Sequence, residues 1–571
     1  MGEQEPVNEV DSVNEPIVEG GKPRRWRKYR RLLLVVFGPL GIWLATEWWA
    51  LHGDLVVAPD TTYITAPLQA DGYPDYAAAI NARFGKGVRP EENVVTVLAK
   101  VFATDDHGNR LPFDLLRQLG LRPSELRVPL FVSFGEYVEL KEAEETPVDE
   151  GTLSPLEVHR RPWKASENPA YAGWLAFNES VLRQIEQAAG RKHFFVPVGD
   201  VDVEFYLDQP VLEHTRFAIA RLRERAMLQA GEGHVESAWK SLLAAKRLAR
   251  HMQSGWSLRY RVEGIECESM VNDSFATMLA RTDLSPLRAR RLMREVGTIP
   301  AAPTFAEHLM FTHRIAMLDH LYRYQAASWR IVDARELLLM SRIDVNAGLR
   351  QLNGYFDRLV AAYRLPPAER SAAIARLTDE LDREIGGNFK FLAAEVSSIV
   401  RTRRVVAKLM RSALDEFESG WAVDAEHRQR EALLRGAIAL VGYRAQHGHY
   451  PDRLEALIPE WLAEIPGDAY SNRPLIYRRR AAGFSLYSVG ENGQDEGGRH
   501  EDDALRLPVA VLPEIVGDDI GIHVPPLTPA ELGVDDDESE LGVDGDESES
   551  GVDGGTSEGG LNGDERRRFE R

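Results

Sequence analysis

Two hydrophobic rhythms divide this chain. From about Asp75 to Leu414 apolar residues return every three or four positions, as in helices that bury one face, while between Pro474 and Ser488 they come in short strand-like runs. Helices are predicted over Asp75–Phe84, Pro90–Phe102 and Phe113–Leu119, separated by glycine and proline breaks. Between Pro210 and Thr282 the pattern predicts three helices, broken at Gly231-Glu232-Gly233 and near Gly255. Longer helices are expected at Phe305–Leu339, Pro367–Ile385 and Phe389–Leu414. Ahead of them, Thr61 to Leu68 reads as extended chain, and Asp71-Gly72 and Tyr73-Pro74 supply turn chemistry.

The predicted fold class is therefore mainly α, with a large helical body over residues 55–420. Its spacing of Ala218, Leu222, Ala226 and Ala230, then Ala238, Leu242, Ala245, Leu248 and Ala249, resembles a helical-hairpin repeat of tetratricopeptide type. Stacked repeats normally need three or more units and only two hairpins are visible, so a general helical bundle stands beside that reading.

A second unit is predicted over 425–507. An amphipathic helix from Glu426 to Gln446 carries Leu433, Leu434, Ala437, Ile438 and Val441 at helical spacing and stops at Gly448. A short helix through Leu454, Leu457 and Ile458 follows, then a turn at Gly467-Asp468. Strands are predicted at Pro474–Arg478 and Gly483–Ser488, closed by the polar loop Gly490–Gly498. The order of elements, with Tyr443, Gly448-His449-Tyr450-Pro451, Leu454–Pro459, Ile465–Asp468, Pro474–Tyr477 and Tyr487–Gly493, resembles the globular half of the major pseudopilin of type II secretion systems.

That resemblance implies an α+β fold and a calcium-binding final loop. Hard cations take oxygen ligands, and the residues it points to are Asn492, Asp495, Asp502 and Asp503, with carbonyls near Leu486 and Ser488. Asn492 stands where the family carries aspartate, which removes one charge, so a glycine-rich structural turn is the competing reading. True pseudopilins join this helix directly to a hydrophobic segment, whereas Asp415–Gln429 is polar here. The resemblance thus implies a fold used for accessory or docking purposes and not for filament assembly.

The N-terminus carries a different signal. An apolar run from Leu32 to Ala45 follows the basic cluster Lys22, Arg24, Arg25, Arg27, Lys28, Arg30 and Arg31. Trp48 and Trp49 read as an interfacial belt that extends the segment to Leu51. Cleavage as a signal peptide competes with retention, because the run is short for a span. Trp43 and Trp48, two residues before Ala45 and Ala50, stand where a signal peptidase requires small side chains, which favours retention. The expected arrangement is a single-pass signal-anchor at 32–51 in a bacterial inner membrane. Its flanking charges keep a disordered basic segment, 1–31, in the cytoplasm and send the bulk to the periplasmic side. The stretch Thr61–Ala103, through Ile64–Leu68, Asp71-Gly72-Tyr73, Asp75-Tyr76, Ala79-Ile80-Asn81 and Gly87–Asn93, resembles an opening shared by large bacterial membrane-anchored or exported proteins. A later run, Asn168 to Trp174 and Asn178 to Pro197, fits the same resemblance.

Charge sharpens this picture. The net −20 of the 571 residues is unevenly placed, with acid gathered from Glu531 to about Asp564 in a degenerate nine-residue repeat. Residues 508–571 are accordingly predicted to be a disordered acidic tail. Nucleic acid is disfavoured as a partner, because the body has no basic stripe. The single cysteine, Cys267, excludes an intrachain disulfide and reads as a buried structural thiol.

Catalytic signatures are sparse. His308, His313 and His320 share one predicted helix, but their separations of five and seven residues miss the four that would bring two imidazoles onto one zinc. Acids such as Glu142, Glu144 and Glu145 read as solvated charge, and neither a nucleophile elbow nor a phosphate-binding glycine loop is present. The expected function is a non-enzymatic scaffold or interaction protein of the bacterial envelope, associated with secretion and contacting other envelope proteins. The alternative is a membrane-tethered hydrolase acting on envelope polymers. Two convergent carboxylates in a cleft, or His308 and His313 facing one metal, would favour the latter.

Overall fold

Short polar side chains start many of the described helices. Asp75, Ser133, Asn168, Ser257, Ser285, Thr304, Asp344 and Ser397 each accept the backbone N–H three residues on, relieving one of the donors that a helix start leaves unpaired. Ser133 with Glu136 and Thr304 with Glu307 complete reciprocal capping boxes. The computed structural model describes residues 53–102, 111, 113–122, 130–145, 151–154, 157–198, 210–326, 343–386, 397–471, 473–500 and 517–532, with scattered positions between 35 and 48.

The protein is mainly helical with one small sheet. In chain order the helices are α1 (Tyr76–Phe84), α2 (Val94–Phe102), α3 (Phe113–Gln118), α4 (Phe134–Ala143), α5 (Pro169–Phe177) and α6 (Glu179–Ala188). The central group is α7 (Pro210–Gly231), α8 (Val235–Met252), α9 (Leu258–Arg281) and α10 (Pro286–Gly297). Then come α11 (Phe305–His308), a π-helical turn at Leu309–His313, α12 (Arg314–Ala326), α13 (Val345–Tyr363), α14 (Pro367–Ile385) and α15 (Ser398–His447).

The three helices predicted between Pro210 and Thr282 are α7, α8 and α9, with breaks where the glycines stand. They pack on one another, and Trp239 of α8 meets Phe275 of α9 with ring centroids 5.5 Å apart. Of the predicted Phe305–Leu339 helix, residues 327–342 lie outside the described residues. Residues 387–396, the start of the predicted Phe389–Leu414 helix, lie outside them as well. The periodicity reading passes over α13, although Leu349, Leu352, Phe356 and Leu359 are buried along one side of it.

The largest difference concerns α15. The break expected between residues 420 and 425 is absent, and one helix of 50 residues crosses it. One side of its polar middle is buried in the body, not linker-like. Asp424 pairs with Arg261, Gln429 Oε1 accepts from Ala469 N at 2.8 Å, and Gly420 passes so close to Phe305 that a Cβ there would lie 2.9 Å from the ring. A single buried core runs from Tyr73 to Val524, and Leu414 and Phe417 belong to it as fully as Leu433 and Leu434.

Gly448, at φ 81°, ends α15 in the left-handed conformation that glycine adopts without strain. The sheet beyond it has the antiparallel order β1 (Ile476–Arg479), β2 (Phe484–Ser488) and β3 (Ile520–Val524), with Leu486 opposite both Tyr477 and Ile522. The third strand falls in the stretch that composition assigns to a disordered tail. Burial of Ile520, Ile522 and Val524 holds it there, and the short helix α16 (Pro529–Leu532) follows. Residues 533–571, with most of the nine-residue repeat, lie outside the described residues. Among the described residues no helix is long and apolar enough to cross a membrane.

Candidate cation site in the C-terminal unit

The polar loop after β2 is tied down by its own side chains. Asn492 N donates to Asp518 Oδ2 at 2.8 Å, Asn492 Nδ2 donates to Glu496 Oε1 at 2.7 Å, and Gly498 N donates to Asp519 Oδ2 at 2.7 Å. Gly490, Gly493, Gly497 and Gly498 all take positive φ, so the chain folds back tightly enough to meet the start of β3. Glu496, Asp518 and Asp519 are thereby gathered, each offering a carboxylate oxygen within 4.8 Å of the others. Two ligands about 2.4 Å from one calcium ion stand at most about 4.8 Å apart, so the spacing suits a single hard cation.

A second observation separates this group from an ordinary acidic surface. Asp519 is fully buried, and among the described residues neither its Oδ1 nor the buried Oδ1 of Asp518 has a hydrogen-bond partner. A buried oxygen left unsatisfied is costly, and a cation would remove the cost. Burial, with the nearby charges of Glu496 and Asp495, pushes the Asp519 carboxyl up to about 6.

Of the four residues indicated by the sequence, two are among the described residues. Asn492 and Asp495 are in the loop, but Asn492 uses its amide on Glu496, and Asp495 accepts from Tyr487 OH at 3.0 Å and from Arg478 Nη2 at 2.7 Å. Both act as braces for the loop. Asp502 and Asp503 lie outside the described residues. Among the described residues, the acids brought to the loop are Asp518 and Asp519, beside Ile520, which pairs with Ser488. The signal for them was present: an Asp-Asp pair directly ahead of the alternation Ile520, Ile522, Val524 marks acids at the start of a strand.

Protons and a cation compete for Asp519. Its folded-state pKa is raised above the ordinary 3.8, so without a cation the folded chain holds that proton more tightly than the unfolded chain. This group therefore adds stability as pH falls through about 6 and withdraws it as pH rises. Calcium affinity should move the opposite way, falling below about pH 6. Calorimetric titrations at pH 5 and pH 7.5 check this, and equal affinities would refute the role given to Asp519.

The polar interior of the body is built differently. Lys246, fully buried on α8, bonds Glu268 Oε1 of α9 at 2.7 Å, Asn272 Oδ1 at 2.8 Å and Glu431 of α15. Arg250 Nη2 reaches the same two carboxylates at 2.7 and 3.0 Å, and Gln253 Nε2 donates to Glu268 Oε2 at 2.5 Å. Burial disfavours charge on Glu268, but Lys246, His427 and Arg250 outweigh it and hold the carboxyl well below its usual range. Two carboxylates do converge here, yet both are paired with cations, and Glu268, held ionised, has no proton to give to a leaving group. His308 and His313 are buried, and among the described residues they belong to no group of three or more metal-ligating side chains. His308 Nε2 lies 3.3 Å from Gln253 O, and His313 meets Phe417 edge to face at 5.4 Å. Burial pushes them down to about 3 and about 4. Cys267 is buried, and burial pushes its thiol up to about 12, which leaves it unreactive. Comparison of the chain with protein-family models, curated proteins and solved structures finds no match.

Proposed function

We propose that this protein is a membrane-tethered interaction protein of the bacterial envelope, whose C-terminal unit is a docking module ordered by calcium. The observation that carries the proposal is Asp519, whose buried oxygen, unpartnered among the described residues, stands with Glu496 and Asp518 on a unit that α15 joins rigidly to the body. The order of α15, turn, paired strands and acidic loop supports the likeness to the globular half of major pseudopilins, in which the final loop binds calcium. Filament assembly is not part of the proposal, because the helix continues upstream into the packed body where a pseudopilin has its hydrophobic segment.

The tether is residues 32–51, retained in the inner membrane with the N-terminus cytoplasmic and the bulk periplasmic. In its support, Val35, Phe37, Ile42 and Trp48 are more than half exposed, as side chains meant for lipid would be. A hydrolase reading draws no support from Glu268 and Glu431, both paired with cations.

Thermal unfolding of the detergent-solubilised full chain tests the calcium part. Millimolar calcium should raise the melting temperature by several degrees, and Asp519→Asn should abolish the rise while leaving the chain folded. No calcium response in the native chain would overturn the site. Affinity capture from solubilised envelopes, with calcium or with chelator, tests the docking part. Failure to recover any reproducible envelope partner in calcium would count against it.

A further inference from the structure

The chain leaves its apolar N-terminal segment at residue 51, and by residue 54 it is already bound to the body. Asn346 Nδ2 donates to Asp54 O at 2.9 Å, and Val56 N donates to Asn346 Oδ1 at 2.8 Å. Three residues of fully extended chain span at most about 11 Å, so Asn346 lies within about 15 Å of the end of the apolar run. Asn346 stands at the start of α13.

The start of α15 is at the same end. Asp344 N donates to Thr402 Oγ1 at 2.9 Å, and one turn further along α13 a Cβ on Gly348 would lie 3.4 Å from both Thr402 and Val406. The two helices therefore run side by side in the same direction, with their first turns together. At this end Ile399 is 63% exposed and Val56 is 45% exposed. Arg403, four residues after Ile399 and on the same face of α15, is also exposed. An apolar tip with a cationic side chain one turn behind it matches the layering of a bilayer surface, where acyl chains give way to phosphates.

We infer that this end of the bundle, through Val56, Ile399 and Arg403, rests on the phospholipid surface. The two apolar side chains enter the headgroup region, and Arg403 pairs with lipid phosphate. This rests on the reading of residues 32–51 as a retained anchor, and it adds that the body lies against the bilayer and does not swing free on a tether. The far end of α15 is then well clear of the membrane, because the 1.5 Å rise per residue places Gln446 about 70 Å from Ile399. Leu287, 75% exposed, belongs to that far end, since Arg290 on the same helix donates to Gln446 at 2.9 Å.

The test uses the full chain reconstituted into vesicles of phosphatidylethanolamine and phosphatidylglycerol. An environment-sensitive fluorophore is placed at Ile399→Cys or, as control, at Leu287→Cys; the buried Cys267 is shielded from labelling. Spin-labelled lipids should quench the probe at 399 several-fold more than the probe at 287, and its emission should be blue-shifted. Val56→Cys provides the same reading should Ile399→Cys fail to fold. Alkaline carbonate washing separates the two parts of the inference. Release of the chain overturns the anchor and the face together, whereas a retained chain with equal quenching at 399 and 287 overturns the face alone.

Discussion

Glu268→Ala is expected to destabilise the protein by about 3–5 kcal/mol, the range found when one partner of a buried ion pair is removed. Glu268 is fully buried, and three donors converge on it: Lys246, Arg250 and Gln253. Its loss leaves Lys246, also fully buried, with only Glu431 and Asn272 to offset its charge. Urea denaturation followed by tryptophan fluorescence measures the effect, and a loss below about 1 kcal/mol, typical of an exposed pair, would refute the burial argument. The double variant Lys246→Met with Glu268→Leu should recover most of the loss, because it removes both charges and leaves Arg250 paired with Glu431. That recovery separates an electrostatic penalty from a packing defect.

Gly231→Ala is the second large effect. Alanine is ordinarily the better helix residue by about 1 kcal/mol. Here its Cβ would lie 1.9 Å from the carbonyl oxygen of Trp163 and 2.3 Å from its carbonyl carbon. Those are backbone atoms of a residue that is itself fully buried and whose N–H donates to Met227 O at 3.3 Å. Neither side can yield cheaply, and overpacking of this kind costs about 3 kcal/mol, so a net loss of about 2 kcal/mol is expected in urea denaturation. Gly233→Ala provides the comparison. It has open space around it and a φ of 83°, so its smaller loss, about 1 kcal/mol, would come from backbone conformation alone. Equal losses at the two positions would refute the steric account of Gly231.

These glycines show what a sequence can and cannot display. Gly231-Glu232-Gly233 is legible as a break because glycine lowers helix propensity wherever it occurs. The reason that Gly231 cannot change is a strand of backbone far away in sequence, and no local pattern contains it. The same division runs through the C-terminal unit. Strands β1 and β2 are legible as short strand-like runs beside turn residues. The acids of the candidate cation site are harder to find, since Asp518 and Asp519 reach Glu496 only through the pairing of β2 with β3. Composition assigns those acids to the tail, and the pairing places them in the loop. The polar stretch Asp415–Gln429 misleads for a related reason. Polarity ordinarily signals solvent, but Asp424 and Gln429 are polar because they answer Arg261 and the backbone of Ala469 inside the core.

An unbroken α15 has one more consequence, which concerns length. A flexible linker can gain or lose residues with little effect on what it connects, but within a continuous helix each added residue turns everything beyond it by about 100° and advances it by about 1.5 Å. A one-residue insertion near Gly420 would therefore swing the acidic loop to a different side of the body. Changes of seven or eleven residues, which bring the helix back to within about 20° of its starting phase, would come closest to preserving the bearing of one unit on the other. The number of residues in α15 is in this sense a specification of angle, and the loop faces its partners along the direction that number sets.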